Sequence, residues 1–219
     1  MRTKYLSYFI DSSTPLYGGA KDIIIKNKTS IGNGDSSNTM ILNIPNHAGT
    51  HIDFPLHFIE NGKSCNDYKS DFWIFNNPYL LNKKVDEDDL IVLNQEELKQ
   101  IPFETDFLII NTGFWEKRGA NQYWNNNPGL SKDLFFQLKE NNPNIRIIGG
   151  DFISISAYQK RPEGRIAHKV FLGGDNPILL VEDMDLSNIE NSPDKLICAP
   201  VLINGADGAP VTIIGFYND

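Results

Sequence analysis

Three of the four histidines in this 219-residue chain fall within eleven residues, in the run His47-Ala48-Gly49-Thr50-His51-Ile52-Asp53-Phe54-Pro55-Leu56-His57. Imidazole nitrogen and carboxylate oxygen are donors that bind first-row divalent metals. The spacing H-x3-H-x-D-x3-H is dense enough to set several of them around one ion. Such an ion lowers the pKa of bound water towards ~7 and polarises a carbonyl as a Lewis acid. The chemistry predicted is hydrolysis by metal-activated water. The expected cofactor is a divalent metal, zinc or manganese, at about one or two ions per chain, with more oxygen ligands favouring manganese.

These residues need elements to hold them. A His pair four apart suggests one face of a helix, but Gly49 and Pro55 oppose a helix here. A tight turn at Ala48-Gly49 leading into an extended stretch fits better. Alternate residues of an extended stretch point the same way. His51, Asp53, Pro55 and His57 are then expected to share a face, with the turn swinging His47 back beside His51. Upstream, residues 20–32 and 37–46 read as strands folded about IGNGDSS. The second strand is expected to run straight into the histidine run and hold it rigidly. Residues 79–85, 105–112, 145–148, 178–181, 196–203 and 210–216 read as further strands. Residues 96–100 read as a short helix. Ser131 is an N-cap for a helix to about Asn141, with Leu134, Phe135 and Leu138 as its apolar stripe. There is no internal repeat and no strong linker. Residues 1–219 read as a single domain of α/β architecture with a central mixed β-sheet.

The run HAGTHIDFPLHF resembles the H-x-G-T-H-x-D-x-P-x-H signature of the metal-dependent cyclase/kynurenine formamidase-like hydrolase family. Other landmarks follow in order. IDSSTPLYGG at 10–19 is similar to the family's opening segment. LIINTGFW at 108–115 resembles its strand ending in T-G-[FW], and IGGDFISI at 148–155 resembles its G-x-D-x-x-S step. His168 and Glu182 resemble its late His and Glu, and GADGAPVTIIGF its closing turn and strand. The resemblance spans nearly the whole chain and implies the swivelling β/β/α fold. It departs in two places. The segment KVFLGGDNPILLV, between His168 and Glu182, is about two residues longer than the family pattern, and glycines around Asp175 are expected to absorb the excess. Thr212 stands where members often carry Arg.

The resemblance implies that His47, His51 and Asp53 are metal ligands, that His57 is the catalytic acid/base, and that His168 and Glu182 are further ligands. Read as residues alone, Asp53 and Glu182 are hard, charged donors, and Asp53 is able to bridge two ions. Imidazole titrates near ~6.5 and suits His57 for moving a proton; a ligand role for His57 stays open. His168 lies near Arg161 and Arg165 in what reads as an Arg-rich loop, where a lone His is ordinarily a surface residue. Glu182 ends an apolar run, and next to Asp183 it also reads as a helix start. Asp151 is either a cap or a group that orients a ligand. Trp73, Phe114 and Trp115 are candidates to line a pocket for an aryl substrate, although large aromatics are more often core.

Two enzymatic activities share this chemistry: an arylformamidase, cleaving N-formylkynurenine to kynurenine and formate, and a hydrolase opening a cyclic amide such as isatin. A non-catalytic metal-binding protein of the same fold is the third class, and the intact His57 argues against it. The partner expected is a small-molecule amide substrate, and the resemblance implies a homo-oligomer, a dimer or larger. The net charge of −8 argues against nucleic acid and anionic membranes, which are bound through Lys and Arg. No apolar run approaches the ~18 residues of a membrane span, and the N-terminus does not read as a secretory signal. Cys65 and Cys198 read as free thiols in a reducing cytoplasm, with a role for Cys65 near the site left open.

Overall fold

The structure is a computed structural model and describes residues 1–218. Its strands are β1 (Arg2–Tyr5), β2 (Ile24–Thr29), β3 (Thr39–Asn43), β4 (His51–Asp53), β5 (Ile74–Phe75), β6 (Pro78–Asn82) and β7 (Leu90–Ile91), then β8 (Phe107–Asn111), β9 (Gly129–Leu130), β10 (Ile147–Gly150), β11 (Leu179–Glu182), β12 (Lys195–Pro200) and β13 (Gly208–Tyr217). The helices are α1 (Gln95–Gln100), α2 (Gln122–Asn125), α3 (Lys132–Asn141) and α4 (Arg161–Leu172).

Unbroken apolar runs specify the centre of the sheet. Phe107 to Ile110, Ile147-Ile148 and Leu179 to Val181 are all buried. Strands of this kind have both faces covered and run parallel. Accordingly β6, β8, β10 and β11 are parallel neighbours. They form one side of a nine-stranded sheet in the order β5-β12-β13-β4-β11-β10-β8-β6, with β1 also on β13. This is the α/β class with a central mixed sheet that the sequence predicts. Helix α3 begins where expected, with the Ser131 side chain accepting from the Asp133 amide, and it packs against α4. Among the described residues no helix is long and apolar enough to cross a membrane.

β4 is short but central. It lies antiparallel between β11 and β13, with Glu182 opposite His51, Leu180 opposite Asp53, and Gly208 also opposite Asp53. The carboxyl end of a parallel strand, β11, therefore meets the histidine run. Such ends are where open α/β sheets place ligands.

Three expectations are corrected. β3 does not run into the histidine run: it ends at Asn43 and pairs only with β2, in a separate two-stranded sheet. Pro45 follows, and proline has no N–H to continue a ladder. The strand that holds the run is β4. The extended stretch is also shorter than expected, because Pro55–His57 forms a 3-10 turn, so His57 leaves the face shared by His51 and Asp53. Finally, the Arg-rich segment 161–172 is a helix. Its buried residues are Gly164, Ala167, His168, Phe171 and Leu172, the spacing of one helical face. Pro162 lies in the first turn, where its missing N–H costs nothing. Gly164 permits close packing, since a Cβ there would sit 2.2 Å from Ser156 Oγ.

Candidate functional site

The run begins with a turn at Ala48-Gly49, where Gly49 has φ +64. That turn brings the His47 ring to 5.1 Å from the His51 ring, centroid to centroid. β4 then directs His51 and Asp53 to the same side. β11 delivers Glu182 opposite His51, and the buried face of α4 delivers His168. Six residues separated by up to 135 positions in sequence thus line one cavity of about 260 Å³: His47, His51, Asp53, His57, His168 and Glu182. The segment after α4 turns at Gly174 (φ +73) and leaves both His168 and Glu182 in this cavity.

The polar atoms converge. His51 Nε2 lies 3.3 Å from Glu182 Oε2 and 3.6 Å from Asp53 Oδ1. His168 Nε2 lies 3.5 Å from Asp53 Oδ2 and 3.7 Å from Glu182 Oε1. His47 Nδ1 lies 2.8 Å from Asp53 Oδ1. Asp53 therefore has one oxygen towards His47 and His51 and the other towards His168. Glu182 Oε1 accepts from Ser154 Oγ (3.0 Å) and the Ile155 amide (2.7 Å), which fixes the carboxylate and leaves Oε2 to the centre.

The far nitrogens decide what the near ones carry. His51 Nδ1 is 2.8 Å from the Gly49 carbonyl, and His168 Nδ1 is 2.9 Å from the Gly164 carbonyl. A carbonyl only accepts, so both Nδ1 atoms bear the proton. In neutral rings both Nε2 atoms are then lone pairs facing carboxylate oxygens. Such an arrangement requires a positive charge in the middle, supplied by protons or by a metal. Two ligands ~2.0–2.1 Å from a tetrahedral ion lie roughly 3.3–3.5 Å apart, close to the spacings found. The donor set fits a divalent cation.

The electrostatics state the same requirement. Burial alone would lower His51 and His168, but the Glu182 and Asp53 carboxylates outweigh it and hold each at about 9. Burial and the neighbouring Asp53 charge push Glu182 up, yet His168 and His51 bring it down to about 2. Asp53 is held well below the usual carboxylate range by His168 and His47, against a large burial penalty. Two protons on His51 and His168 thus balance two carboxylates, and one divalent ion could replace them charge for charge.

The flanking residues have other roles. Asp207 contacts His57 and His47. Nothing local marks it in the sequence, where it reads only as part of a turn; the β13–β4 register brings it to the site. Tyr17, Phe58, Pro15 and Ile153 form the less polar wall of the cavity, and the Phe58 ring stacks 4.3 Å from that of His168. The three aromatics expected to line the pocket do not line it. Trp73 packs in the core against Phe54, Tyr68 and Phe72. Phe114 is buried against Tyr123 and Ile153, a layer behind the wall. Trp115 is half-buried against the main core. Their large apolar areas are satisfied there. Asp151 accepts from the Thr112 amide and hydroxyl and from the Trp115 amide, and it ties the ends of β8 and β10 together. Cys65 is a buried free thiol outside the cavity wall. Thr212 faces a separate apolar groove.

The turn after Glu182 is braced from outside the cavity. Asp183 adopts φ +52, a left-handed conformation that is unfavourable for a residue with a Cβ. Arg118 donates to both of its oxygens at 2.8 Å, and the Tyr123 hydroxyl donates to one.

The family model for Cyclase matches residues 5–157. "Cyclase-like protein 1" of Arabidopsis thaliana is 31% identical over 189 residues, covering 84% of this chain and 72% of that one. A kynurenine formamidase of Bacillus mycoides (strain KBAB4) is 29% identical over 215 residues, covering 95% of this chain and 97% of that one. Among solved structures, isatin hydrolase A from Labrenzia aggregata, bound to benzyl benzoate, superposes with a TM-score of 0.79 at 19% identity, covering 100% of this chain and 94% of that one. With the model spanning most of the chain and the histidine run lying inside it, this chain belongs to the cyclase family.

Proposed function

We propose that this chain is a metal-dependent hydrolase of C–N bonds other than peptide bonds, and that its substrate is an aryl formamide such as N-formylkynurenine. The observation that carries the reading is that three histidines and two buried carboxylates line one cavity, with Asp53 within 3.6 Å of His47, His51 and His168 and Glu182 within 3.7 Å of His51 and His168, beside a fourth histidine that faces the same cavity. His47, His51, Asp53, His168 and Glu182 would hold the cation, one ion or two. Bound there, a divalent ion would lower the pKa of a water towards ~7 and withdraw electron density from the scissile carbonyl.

The chain's own groups supply the rest. His57 Nδ1 is engaged by Asp207 at 2.8 Å, so Nε2 is the nitrogen available to the cavity. It takes a proton from the attacking water and delivers it to the leaving nitrogen as the C–N bond breaks, giving formate and the free amine. Tyr17, Phe58 and Ile153 offer an aryl ring an apolar wall and exclude water from one side. Likeness to a kynurenine formamidase along nearly the full length supports the formamide over the lactam. We place the protein in the cytoplasm, in keeping with its buried thiols. We also propose a homo-oligomer that covers the exposed apolar side chains Met40 and Leu42 on the β2–β3 hairpin; sedimentation at a single monomer mass would remove that part.

The test is hydrolysis of N-formylkynurenine and of isatin, each with and without a chelator. Chelator-sensitive release of formate is expected from the first, with isatin the poorer substrate. Preference for isatin would reassign the substrate, and hydrolysis insensitive to thorough metal removal would sink the metal-dependent reading.

A further inference from the structure

We infer that Asp207 is a positioning residue that sets the tautomers of both His57 and His47; the inference rests on the hydrolase reading above and concerns how its proton shuttle is held. Asp207 directly precedes β13. The pairing of Gly208 with Asp53 sets it beside β4, and the Phe54 amide donates to its carbonyl at 2.9 Å. Its side chain is held in place: Oδ1 accepts from Asn46 Nδ2 at 2.7 Å.

The second oxygen, Oδ2, lies 2.8 Å from His57 Nδ1 and 3.1 Å from His47 Nε2. A carboxylate only accepts. His57 therefore carries a proton on Nδ1, which in the neutral ring leaves the lone pair on Nε2, the form of a general base. His47 has a carboxylate at each nitrogen, Asp53 Oδ1 2.8 Å from Nδ1 and Asp207 Oδ2 3.1 Å from Nε2; with a cation taking the Nδ1 lone pair, Asp207 is the acceptor that keeps the proton on Nε2. One oxygen thus assigns one ring to proton transfer and the other to metal binding. The two rings lie 4.1 Å apart, centroid to centroid, so a single acceptor at their edge serves both.

The backbone confirms how closely this arrangement is built. A Cβ on Gly208 would lie 2.3 Å from His47 Cε1, so the peptide after Asp207 is pressed onto that ring. His57 has no other carboxylate partner among the described residues. Orienting carboxylates of this kind fix ring tautomer and orientation in other histidine sites.

The experiment has two arms. In the first, protein labelled with ¹⁵N-histidine and loaded with zinc is examined by imidazole ¹⁵N–¹H correlation; four histidines keep assignment tractable. His57 should show the Nδ1–H tautomer in the wild type and lose it in Asp207→Ala. An Nε2–H tautomer in the wild type, or an unchanged one in the variant, overturns the inference. This arm needs no turnover, so it stands even if no substrate is hydrolysed and the functional reading fails. In the second, kcat on N-formylkynurenine should fall about 10- to 100-fold in Asp207→Asn, with KM within about threefold. In a His57→Ala background the same change should cost less than about threefold more, because the group it positions is gone. A full additional loss there would show that Asp207 acts by another route.

Discussion

Loading the site with a divalent ion at pH 7 should release about two protons per chain. In the metal-free protein His51 and His168 are each held at about 9, so at pH 7 both are protonated. Their Nδ1 protons are committed to the Gly49 and Gly164 carbonyls, so the proton displaced is the one on Nε2, the atom that faces Asp53 and Glu182. Removing each proton well below its raised pKa costs roughly 3 kcal/mol. The apparent binding constant for zinc should therefore rise about 100-fold from pH 7 to pH 8 and level off above about 9. Burial lowers His47, but Asp53 and Asp207 together outweigh it and raise it, so it adds at most one further proton. The assay is calorimetric titration with zinc in buffers of different ionisation enthalpy, where the slope of measured heat against buffer enthalpy counts protons. Release of fewer than one proton, with affinity flat between pH 6 and 8, would refute the reasoning and remove His51 and His168 as ligands.

Metal-free protein should be most stable between about pH 4.5 and 6.5. The raised histidines contribute fully below their unfolded value of ~6.5, and that stability is lost as pH rises through about 9, by about 3 kcal/mol per histidine; the depressed Glu182 contributes above ~4.5 and is lost as pH falls through about 2. Melting temperature against pH reads this directly, and a metal-free protein that grows more stable from pH 6 to 9 would contradict it. Arg118→Met should destabilise the fold by about 3 kcal/mol, because Asp183 would remain buried without its cation; denaturant unfolding measures this, and a change below about 1 kcal/mol would mean that the left-handed turn after Glu182 does not depend on the brace.

Residues 47–57 were legible because composition and spacing coincide there: four ligand-type side chains with Gly49 and Pro55 to shape the path. The buried strands were legible as apolar runs, and α3 from its Ser131 cap. Helix α4 was not, although its apolar face repeats correctly at 164, 167, 168, 171 and 172. Pro162, Gly164 and the flanking charges read locally as a loop, and only close packing on Ser156 explains the glycine. Asp207 was illegible for a different reason. It is one carboxylate in a turn, and its role is created by antiparallel pairing with a strand over 150 residues earlier. The hairpin strands Ile24–Thr29 and Thr39–Asn43 are shorter than their sequence pattern suggests, and Pro45 follows soon after the second. Trp73, Phe114 and Trp115 show that aromatic type alone does not separate a pocket wall from a core; Phe58, beside His57, has the wall position.

The central claim is that His47, His51, Asp53, His168 and Glu182 form one cation site with His57 left free as the proton carrier. Anomalous diffraction at the metal edge, from crystals grown without chelator and soaked in zinc or manganese, tests it most directly. An anomalous peak is expected within ~2.0–2.6 Å of His51 Nε2, His168 Nε2 and oxygens of Asp53 and Glu182, with His57 Nε2 uncoordinated. A peak on His57 and Asp207 instead, or His168 turned away from an ion that is present, would contradict it.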